Sequence, residues 1–254
     1  MISEDFLDDL ISSIEKTAMD NISTPSKSYK PSSLHCIRNM YFQMEGREPE
    51  KNFQAYTSVG ILEAGTDRHE RIQAAIKEMR HNGFDCDYLD VPTYLSGHPE
   101  LNDLEVVRSM GAETLLYNKK YNMRFACDGL INYKGKYYII EFKTEGSYKF
   151  DFRNGVDPNH INQASAYSLS FNLNDVIFVY IDRNTLRMKC YLLEVTDTMR
   201  ERIMSKIELC DSYVRREVIP PKDNVDYKIC SWCQYKQYCK SLPKEEFTLE
   251  MLSS

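Results

Sequence analysis

Four cysteines constrain the fold of this chain more than any other feature. Cys36 lies near the start, and Cys230, Cys233 and Cys239 lie in one late segment that reads Cys-Ser-Trp-Cys-Gln-Tyr-Lys-Gln-Tyr-Cys. A soft metal ion or an iron–sulfur cluster requires about four thiolates that converge on one point. Three of them come from one short loop, and Cys36 is the best candidate for the fourth. The pattern predicts a metal centre that ties the two ends of the fold together, and it leaves iron–sulfur and zinc both open.

The length and composition indicate a globular protein. A chain of 254 residues with 42% hydrophobic content fits one large domain, or one domain with a small lobe. No apolar run approaches the roughly 20 residues that span a membrane, and the acidic, amphipathic start differs from a signal peptide. We therefore expect a cytoplasmic protein (host-cell cytoplasm if it is phage-encoded) with no membrane association. Its eight cysteines are then thiols and ligands rather than disulfides.

The charge excludes one class of nucleic-acid protein. A net charge of −6 argues against a bulk nucleic-acid coat protein, but a nuclease carries metal-binding carboxylates and is compatible with it. Two segments are nevertheless basic and contain no acid. They are residues 118–124, with Lys119, Lys120 and Arg124, and residues 227–244, with Lys228, Lys236, Lys240 and Lys244. Each is either solvated surface or a contact to nucleic acid.

The residue patterns predict helices around a mixed central sheet. Capping residues, Gly and Pro predict helices over about residues 3–19, 31–46, 57–80, 158–172 and 196–217. Runs rich in β-branched and aromatic residues predict strands over about residues 88–95, 113–117, 121–133, 136–144, 175–182 and 188–195. This order indicates an α/β or α+β domain with one central sheet.

A predicted hairpin over residues 121–144 carries the most informative acidic pair. A two-residue turn at Lys134-Gly135 pairs Tyr133 with Lys136, so the residue numbers of each facing pair add up to 269. This register places Asp128 opposite Glu141, with their Cβ atoms ~4.5–5.5 Å apart. Lys143 then shares the face of Glu141, while Phe142 points to the opposite, apolar side. Facing carboxylates repel each other unless a cation lies between them, and oxygen ligands suit Mg²⁺ or Mn²⁺.

Two further groups of polar residues accompany this hairpin. His69 follows Gly65 on the third predicted helix, where it is either a buried core residue or a third metal ligand, and we favour the ligand. His160, Gln163 and Tyr167 share one face of a later helix. That stripe is either the polar side of an amphipathic helix or a set of donors aimed at phosphate or base.

These motifs together resemble the RecB-like branch of the PD-(D/E)xK nucleases. In order, they are His69, Asp128, Glu141-Phe142-Lys143 and Gln163-Ala164-Ser165-Ala166-Tyr167. Cys36, Arg38, Tyr41 and the late Cys-x2-Cys-x5-Cys are similar to its iron–sulfur members, which include the CRISPR-associated iron–sulfur exonucleases and the AddB nuclease domain. The resemblance covers about residues 33–239. Glu141 stands where many members have aspartate, which the family name allows.

The resemblance implies a restriction-endonuclease-like core in residues 57–217 and an iron–sulfur lobe made of residues 31–50 with 222–245. Within the single nuclease domain of residues 1–254, the implied catalytic residues are Asp128, Glu141 and Lys143. The implied ligands of Mg²⁺ or Mn²⁺ are His69, Asp128, Glu141 and the main-chain carbonyl of Phe142. Gln163 and Tyr167 would position the substrate, and Cys36, Cys230, Cys233 and Cys239 would hold a [4Fe–4S] cluster, with zinc as the alternative.

The implied function is a metal-dependent deoxyribonuclease, an exonuclease acting on single-stranded or frayed DNA ends in recombination, repair or CRISPR-type processing. A helicase or another recombination or CRISPR protein is the implied partner, because the chain has no Gly-rich phosphate-binding loop of its own. Two alternatives stay open. One is a non-catalytic nucleic-acid-binding module with the same fold, and the other is a zinc-ribbon adaptor with an incidental Glu-x-Lys.

Overall fold

The computed structural model of the protein describes residues 2–20, 26–50, 56–110, 113–223, 225 and 227–242. The helices are α1 (Ile2–Asp20), α2 (Ile37–Glu45), α3 (Tyr56–Lys77), α4 (Val91–Ser96), α5 (Ser147–Asp151), α6 (Pro158–Phe171), α7 (Asp197–Arg216), α8 (Tyr227–Ser231) and α9 (Lys236–Ser241). The strands are β1 (Cys86–Leu89), β2 (Leu104–Met110), β3 (Glu113–Asn118), β4 (Met123–Cys127), β5 (Gly129–Tyr133), β6 (Lys136–Glu145), β7 (Asp175–Asp182) and β8 (Met188–Glu194). Within these ranges, no helix has both the length and the apolar character that a membrane crossing needs.

A mixed sheet of five strands forms the centre of the fold, in the order β1-β5-β6-β7-β8. β6 and β7 run parallel, whereas the other neighbouring pairs are antiparallel. A second sheet has the order β2-β3-β4. The predicted α/β class, with a central mixed sheet flanked by helices, is confirmed.

The two faces of the central sheet bury different clusters. Ile140 and Phe142 of β6 pack with Ile72 and Ile76 of α3 on one side. Ile139 belongs to the larger cluster on the other side, which also contains buried residues of α2, α6 and α7. Because side chains alternate along a strand, Glu141 shares the face of Ile139 and projects away from α3. The predicted opposition of Phe142 and Glu141 is therefore present.

The predicted hairpin register is confirmed. Tyr133 pairs with Lys136, and the ladder continues to Gly129 opposite Ile140. Lys134 and Gly135 both have positive φ, 53° and 78°, as a two-residue type I′ turn requires. The turn thus sets the pairing of β5 with β6 along their whole shared length.

Two strand predictions were wrong. Residues 121–133 form two strands rather than one, since β4 belongs to the small sheet, β5 belongs to the central sheet, and Asp128 lies between them. Residues 88–95 are mostly helical, because Asp90 accepts a hydrogen bond from the Thr93 N–H and Pro92 suits the first turn of α4. This local capping outweighs the β propensity of the segment. β2 was not predicted.

The predicted helix over residues 31–46 is also divided. A 3-10 turn spans Pro31–Ser33, and α2 begins at Ile37, so that Cys36 stands in extended conformation just before the helix. Gly46 ends α2 in the left-handed conformation, as expected. Thr196 caps α7 through the Met199 N–H, as predicted.

Early and late segments of the chain pack together. The Ile37 N–H donates to Asp223 Oδ2 at 2.8 Å, and Arg38 Nε donates to the Pro220 carbonyl at 3.0 Å. The Glu50 carboxylate accepts hydrogen bonds from two main-chain N–H groups in the first turn of α9, those of Gln237 and Tyr238. These bonds hold the segment around Cys36 against the segment with the three late cysteines.

The β5–β6 turn provides a test of the fold. We expect Lys134→Asn to raise the free energy of unfolding by about 0.5–1 kcal/mol, because asparagine tolerates the left-handed backbone better than lysine. Chemical denaturation of both proteins measures this difference. Lys134→Ala is the matched control and should bring no gain, since alanine carries the same backbone penalty. A Lys134→Asn protein no more stable than the wild type would contradict this account of the turn.

Candidate active site

A cavity of about 770 Å³ lies where the two sheets meet. Strands β2, β3 and β4 line one side, and β6 and α6 line another. Five ionisable side chains line one part of it, which we call the acidic floor; they come from α3, β3, β6 and the β4–β5 connection and are His69, Glu113, Asp128, Glu141 and Lys143. Four of these five, all but Glu113, are residues that the sequence predicts for the site.

Asp128 is fixed through both its carboxylate and its main chain. Its Oδ2 accepts a 2.7 Å hydrogen bond from the Phe142 N–H, which joins the start of β5 to β6. Its main-chain carbonyl accepts hydrogen bonds from Gln73 Nε2 at 2.5 Å and Tyr88 Oη at 3.0 Å. With so many partners, a buried carboxylate of 6% exposure has little freedom to move.

His69, Glu113 and Asp128 form one cluster. Each offers a ligand atom within 4.8 Å of the others. His69 Nδ1 lies 3.3 Å from Asp128 Oδ1, yet this buried nitrogen makes no hydrogen bond to the described residues. Burial lowers the pKa of His69, but the Asp128 and Glu141 carboxylates together outweigh burial and leave that pKa raised. Burial also raises the pKa of Glu113, and Asp128 adds to the rise.

Glu141 and Lys143 are a buried pair beside this cluster. Glu141 Oε1 accepts hydrogen bonds from Lys143 Nζ at 2.5 Å and from Gln163 Nε2 at 3.1 Å. Glu141 Oε2 is buried and has no hydrogen-bond partner among the described residues. Burial raises the pKa of Glu141, against the opposing effect of Lys143. Burial lowers the pKa of Lys143, but the carboxylates of Glu141, Asp128 and Glu113 together outweigh burial and leave the pKa raised.

Gln163 and Tyr167 connect Glu141 to the small sheet. The Gln163 amide also donates to Tyr167 Oη at 2.6 Å, and Tyr167 Oη donates to the Ala126 carbonyl of β4 at 3.1 Å. Both residues lie on α6, one turn apart, and both line the cavity. Tyr167 is only 3% exposed. Their direct contacts are therefore with Glu141 and with the β4 main chain.

His160 does not share that environment. Its Nδ1 lies 2.9 Å from Tyr180 Oη, and its ring stacks on Phe178 and Tyr180. Burial lowers the pKa of His160 to about 3, so the ring is neutral at physiological pH. The suggested set of three donors is thus reduced to Gln163 and Tyr167.

Glu113 is the floor residue that sequence reasoning missed. It opens β3, and the β3–β4 ladder pairs Thr114 with Cys127, so the next step of the same register puts Glu113 opposite Asp128. The pairing of β3 with β4 could be predicted in the same way as that of β5 with β6, because paired residue numbers sum to 241. That prediction needs a four-residue connection over residues 119–122, whereas the residue pattern places residues 121 and 122 in a strand.

The acidic floor fits a divalent cation. It offers three carboxylates and one imidazole, which are ligands suited to Mg²⁺ or Mn²⁺. Two buried atoms, His69 Nδ1 and Glu141 Oε2, have no hydrogen-bond partner among the described residues. Because buried polar atoms in native proteins are nearly always satisfied, a divalent cation is a suitable partner for these two atoms.

The four predicted cysteines line a second cavity, of about 160 Å³. Arg38 Nη1 donates to Cys239 Sγ at 3.5 Å, and Asn39 Nδ2 donates to Cys233 Sγ at 3.7 Å. Lysines at positions 222, 236 and 240 also border it. Cationic and N–H donor groups around four thiols suit a centre that carries negative charge on sulfur. Cys86, Cys127, Cys190 and Cys210 do not line this cavity.

No family model matches the sequence, and no curated protein matches it. Among solved structures, SSO0001 is similar at 17% identity with a TM-score of 0.52, over 96% of this chain and 100% of that chain. This likeness shows a shared fold. An alkaline exonuclease (LHK-Exo) from Laribacter hongkongensis matches 76% of this chain and 90% of its own at 12% identity and TM-score 0.40. The structure of LHK-Exo in complex with dAMP matches 75% of this chain and 89% of its own, at 13% identity and a TM-score of 0.39.

The buried Glu141 carboxyl predicts a pH-dependent cost in stability. Its raised pKa means that the folded protein holds this proton more tightly than the unfolded chain. With chelator present, stability should therefore fall as pH rises above about 4.3, where an unfolded glutamate ionises, towards neutrality. We expect Glu141→Gln to raise the melting temperature, with a gain that grows from acid to neutral pH. Glu201→Gln, at an exposed position, is the control and should show no such trend. An equal gain at every pH would contradict the assignment.

Proposed function

We propose that the protein is a divalent-metal-dependent DNA nuclease of the RecB-like PD-(D/E)xK type, acting as an exonuclease on single-stranded ends. The observation that carries this proposal is the acidic floor, where one histidine, three carboxylates and one lysine converge in a cavity open to solvent. Phosphodiester hydrolysis by this class requires such a set: ligands for a cation and a separate positive charge.

The ligands follow from the geometry and from the resemblance. His69, Glu113 and Asp128 would hold Mg²⁺ or Mn²⁺, with Glu141 and the Phe142 main-chain carbonyl as further ligands. Bound there, the ion supplies a water of lowered pKa and a positive charge against the scissile phosphate. Asp128 is kept in place by the Phe142 N–H, and no rearrangement of β6 is needed to present its second oxygen.

Lys143 is the protein's own source of positive charge. Its ammonium is tied to Glu141 Oε1 and leaves Glu141 Oε2 free for the ion. A lysine held this way can hold the attacking water or stabilise charge that develops on the phosphate oxygens. Gln163 and Tyr167 would position the substrate indirectly, by fixing Glu141 against β4, in addition to any contact through the cavity wall.

The size of the cavity supports a single-stranded substrate. A volume of about 770 Å³ falls within the range of pockets that enclose ligands of a few rings. A few nucleotides of one strand fit such a space. DNA rather than RNA, and ends rather than internal sites, follow from the resemblance.

We further propose a [4Fe–4S] cluster in the cysteine cavity, with zinc as the alternative. In a tetrahedral zinc site with Zn–S bonds of about 2.3 Å, the sulfurs lie about 3.8 Å apart. Among the described residues, no three of the four cysteines have sulfurs within 4.8 Å of one another. The choice of a [4Fe–4S] cluster over zinc rests on the resemblance to the iron–sulfur members of the RecB-like nucleases. Arg38 and the surrounding lysines would offset its negative charge.

Cleavage assays on site variants test the nuclease proposal. Wild-type protein with Mg²⁺ or Mn²⁺ should degrade end-labelled single-stranded DNA, and chelator should stop the reaction. Asp128→Asn, Glu141→Gln and Lys143→Met should each lower the cleavage rate by about a hundredfold or more, with DNA binding largely retained, because each removes charge at the reacting phosphate. Lys136→Met, a lysine on the same strand that pairs with Asp175 outside the cavity, is the control. Near-normal cleavage by any of the three would remove that residue from the assignment.

Iron and zinc analysis of cysteine variants tests the cluster. Anaerobically purified wild type should be brown and contain iron, and single replacement of Cys36, Cys230, Cys233 or Cys239 by alanine should give colourless, less stable protein. Replacement of Cys86, Cys127, Cys190 or Cys210 should leave the iron content unchanged. Full iron content in Cys36→Ala would break the link between the two segments. Zinc without iron in the wild type would overturn the choice of cofactor.

A further inference from the structure

The cavity wall next to the acidic floor carries three cations that have no ion-pair partner in the described part of the chain. Arg124 of β4, Arg108 of β2 and Lys30 all line the cavity, and among the described residues none of them forms an ion pair. By contrast, Lys119 from the same basic segment as Arg124 is paired with Glu105 and lies outside the cavity. The basic segment found in the sequence is thus divided by the fold, and only Arg124 faces the site.

Arg124 is the central member of this group. Its Nε is buried and has no hydrogen-bond partner in the part of the chain that is described. A guanidinium is always charged and presents its donors in a planar fork that matches two oxygens of a phosphate. A buried donor left without an acceptor is costly, so an anionic ligand is the natural partner for Arg124.

The strand register places Arg124 relative to the floor. Arg124 and Asp128 are four residues apart, on the face of β4 whose side chains alternate with buried Met123, Phe125 and Cys127. At about 3.3 Å per residue, their Cα atoms lie about 13 Å apart. Arg108 of β2 pairs with Leu115 of β3, and Leu115 pairs with Ala126 of β4. Arg108 is therefore level with Ala126, midway between Arg124 and Asp128. Lys30 lies on the other side of Arg124, because the Arg124 N–H donates to the carbonyl of the neighbouring Tyr29.

We propose that Arg124, flanked by Lys30 and Arg108, binds a backbone phosphodiester of the single-stranded substrate at a distance from the bond that is cut. This inference rests on the proposed function, because it assumes a strand whose reacting phosphate lies on the acidic floor. The cationic band then runs from the floor along β4, and it makes the affinity for a strand depend on the strand's length.

Binding without cleavage tests the subsite. Anisotropy of fluorescein-labelled oligothymidylate, with Ca²⁺ in place of Mg²⁺, compares wild type, Arg124→Gln, Arg124→Lys and the control Lys119→Gln. Arg124→Gln should weaken binding by about tenfold or more, because a charge-assisted hydrogen bond to phosphate is lost. The slope of log affinity against log salt should fall by about 0.7, the value for one phosphate contact on a single strand. Arg124→Lys should retain part of the affinity, and Lys119→Gln should bind like the wild type.

Substrate length provides the second arm. The loss of affinity in Arg124→Gln should grow from a dinucleotide to a long oligothymidylate, and the substitution should raise KM more than it lowers kcat.

Equal binding by Arg124→Gln and wild type, or an equal loss of affinity in Lys119→Gln, would overturn the subsite. If the wild type cuts DNA and Arg124→Gln binds normally, the subsite alone fails. If the wild type binds but cuts nothing, the nuclease proposal fails, and weaker binding by Arg124→Gln then identifies Arg124 only as a contact to the nucleic-acid backbone. Thermal melting checks that each variant is folded, because the Arg124 guanidinium also lies over the Tyr117 ring, 5.8 Å from its centroid, and its replacement removes that contact.

Discussion

The hydrogen bond from the Phe142 N–H to Asp128 Oδ2 holds the two sheets of this protein together at the candidate site. The β5–β6 ladder ends at the pair Gly129–Ile140, so beyond that point the carboxylate takes the place of a main-chain acceptor. The same carboxylate directs its other oxygen towards His69. Hydrogen bonds to charged groups contribute about 1.5–3 kcal/mol. One interaction therefore fixes the path of the chain from β4 to β5 and the position of the cluster of ligand atoms.

The parts of the fold that the sequence predicted well depend on local signals. Lys134-Gly135 sets the β5–β6 register, and Thr196 sets the start of α7. β7 has the predicted bounds. The failures arise where two signals compete. At residues 88–95 the capping by Asp90 defeats a β-rich composition, although both Asp90 and Pro92 were visible in the sequence. At Asp128 the strand breaks because β4 and β5 belong to different sheets, and this choice depends on tertiary packing.

The residues of the candidate site also fall into two groups, those that local sequence signals place and those that depend on tertiary packing. Asp128, Glu141 and Lys143 are brought to one cavity by a hairpin that the sequence specifies, and His69 reaches it from α3. Glu113 depends on the length of the β3–β4 connection, which the residue pattern does not reveal. The roles of Gln163 and Tyr167 also depend on space, since their hydrogen bonds to Glu141 and Ala126 join elements that are distant in sequence. Residue types can thus identify chemistry, whereas the support around it requires the fold.

The cysteine cavity has a consequence for how the protein is made. Its walls come from Cys36 and from a segment about 200 residues later. At translation rates of about 5–20 residues per second, Cys36 is synthesised roughly 10–40 seconds before Cys239. During that interval its thiol has no partner, and α2 lacks the late residues that hold it, such as Asp223 and Pro220. Until the late segment docks and closes the cavity, α2 therefore lacks part of its packing, and the Cys36 thiol is accessible to oxidants and to other metal ions.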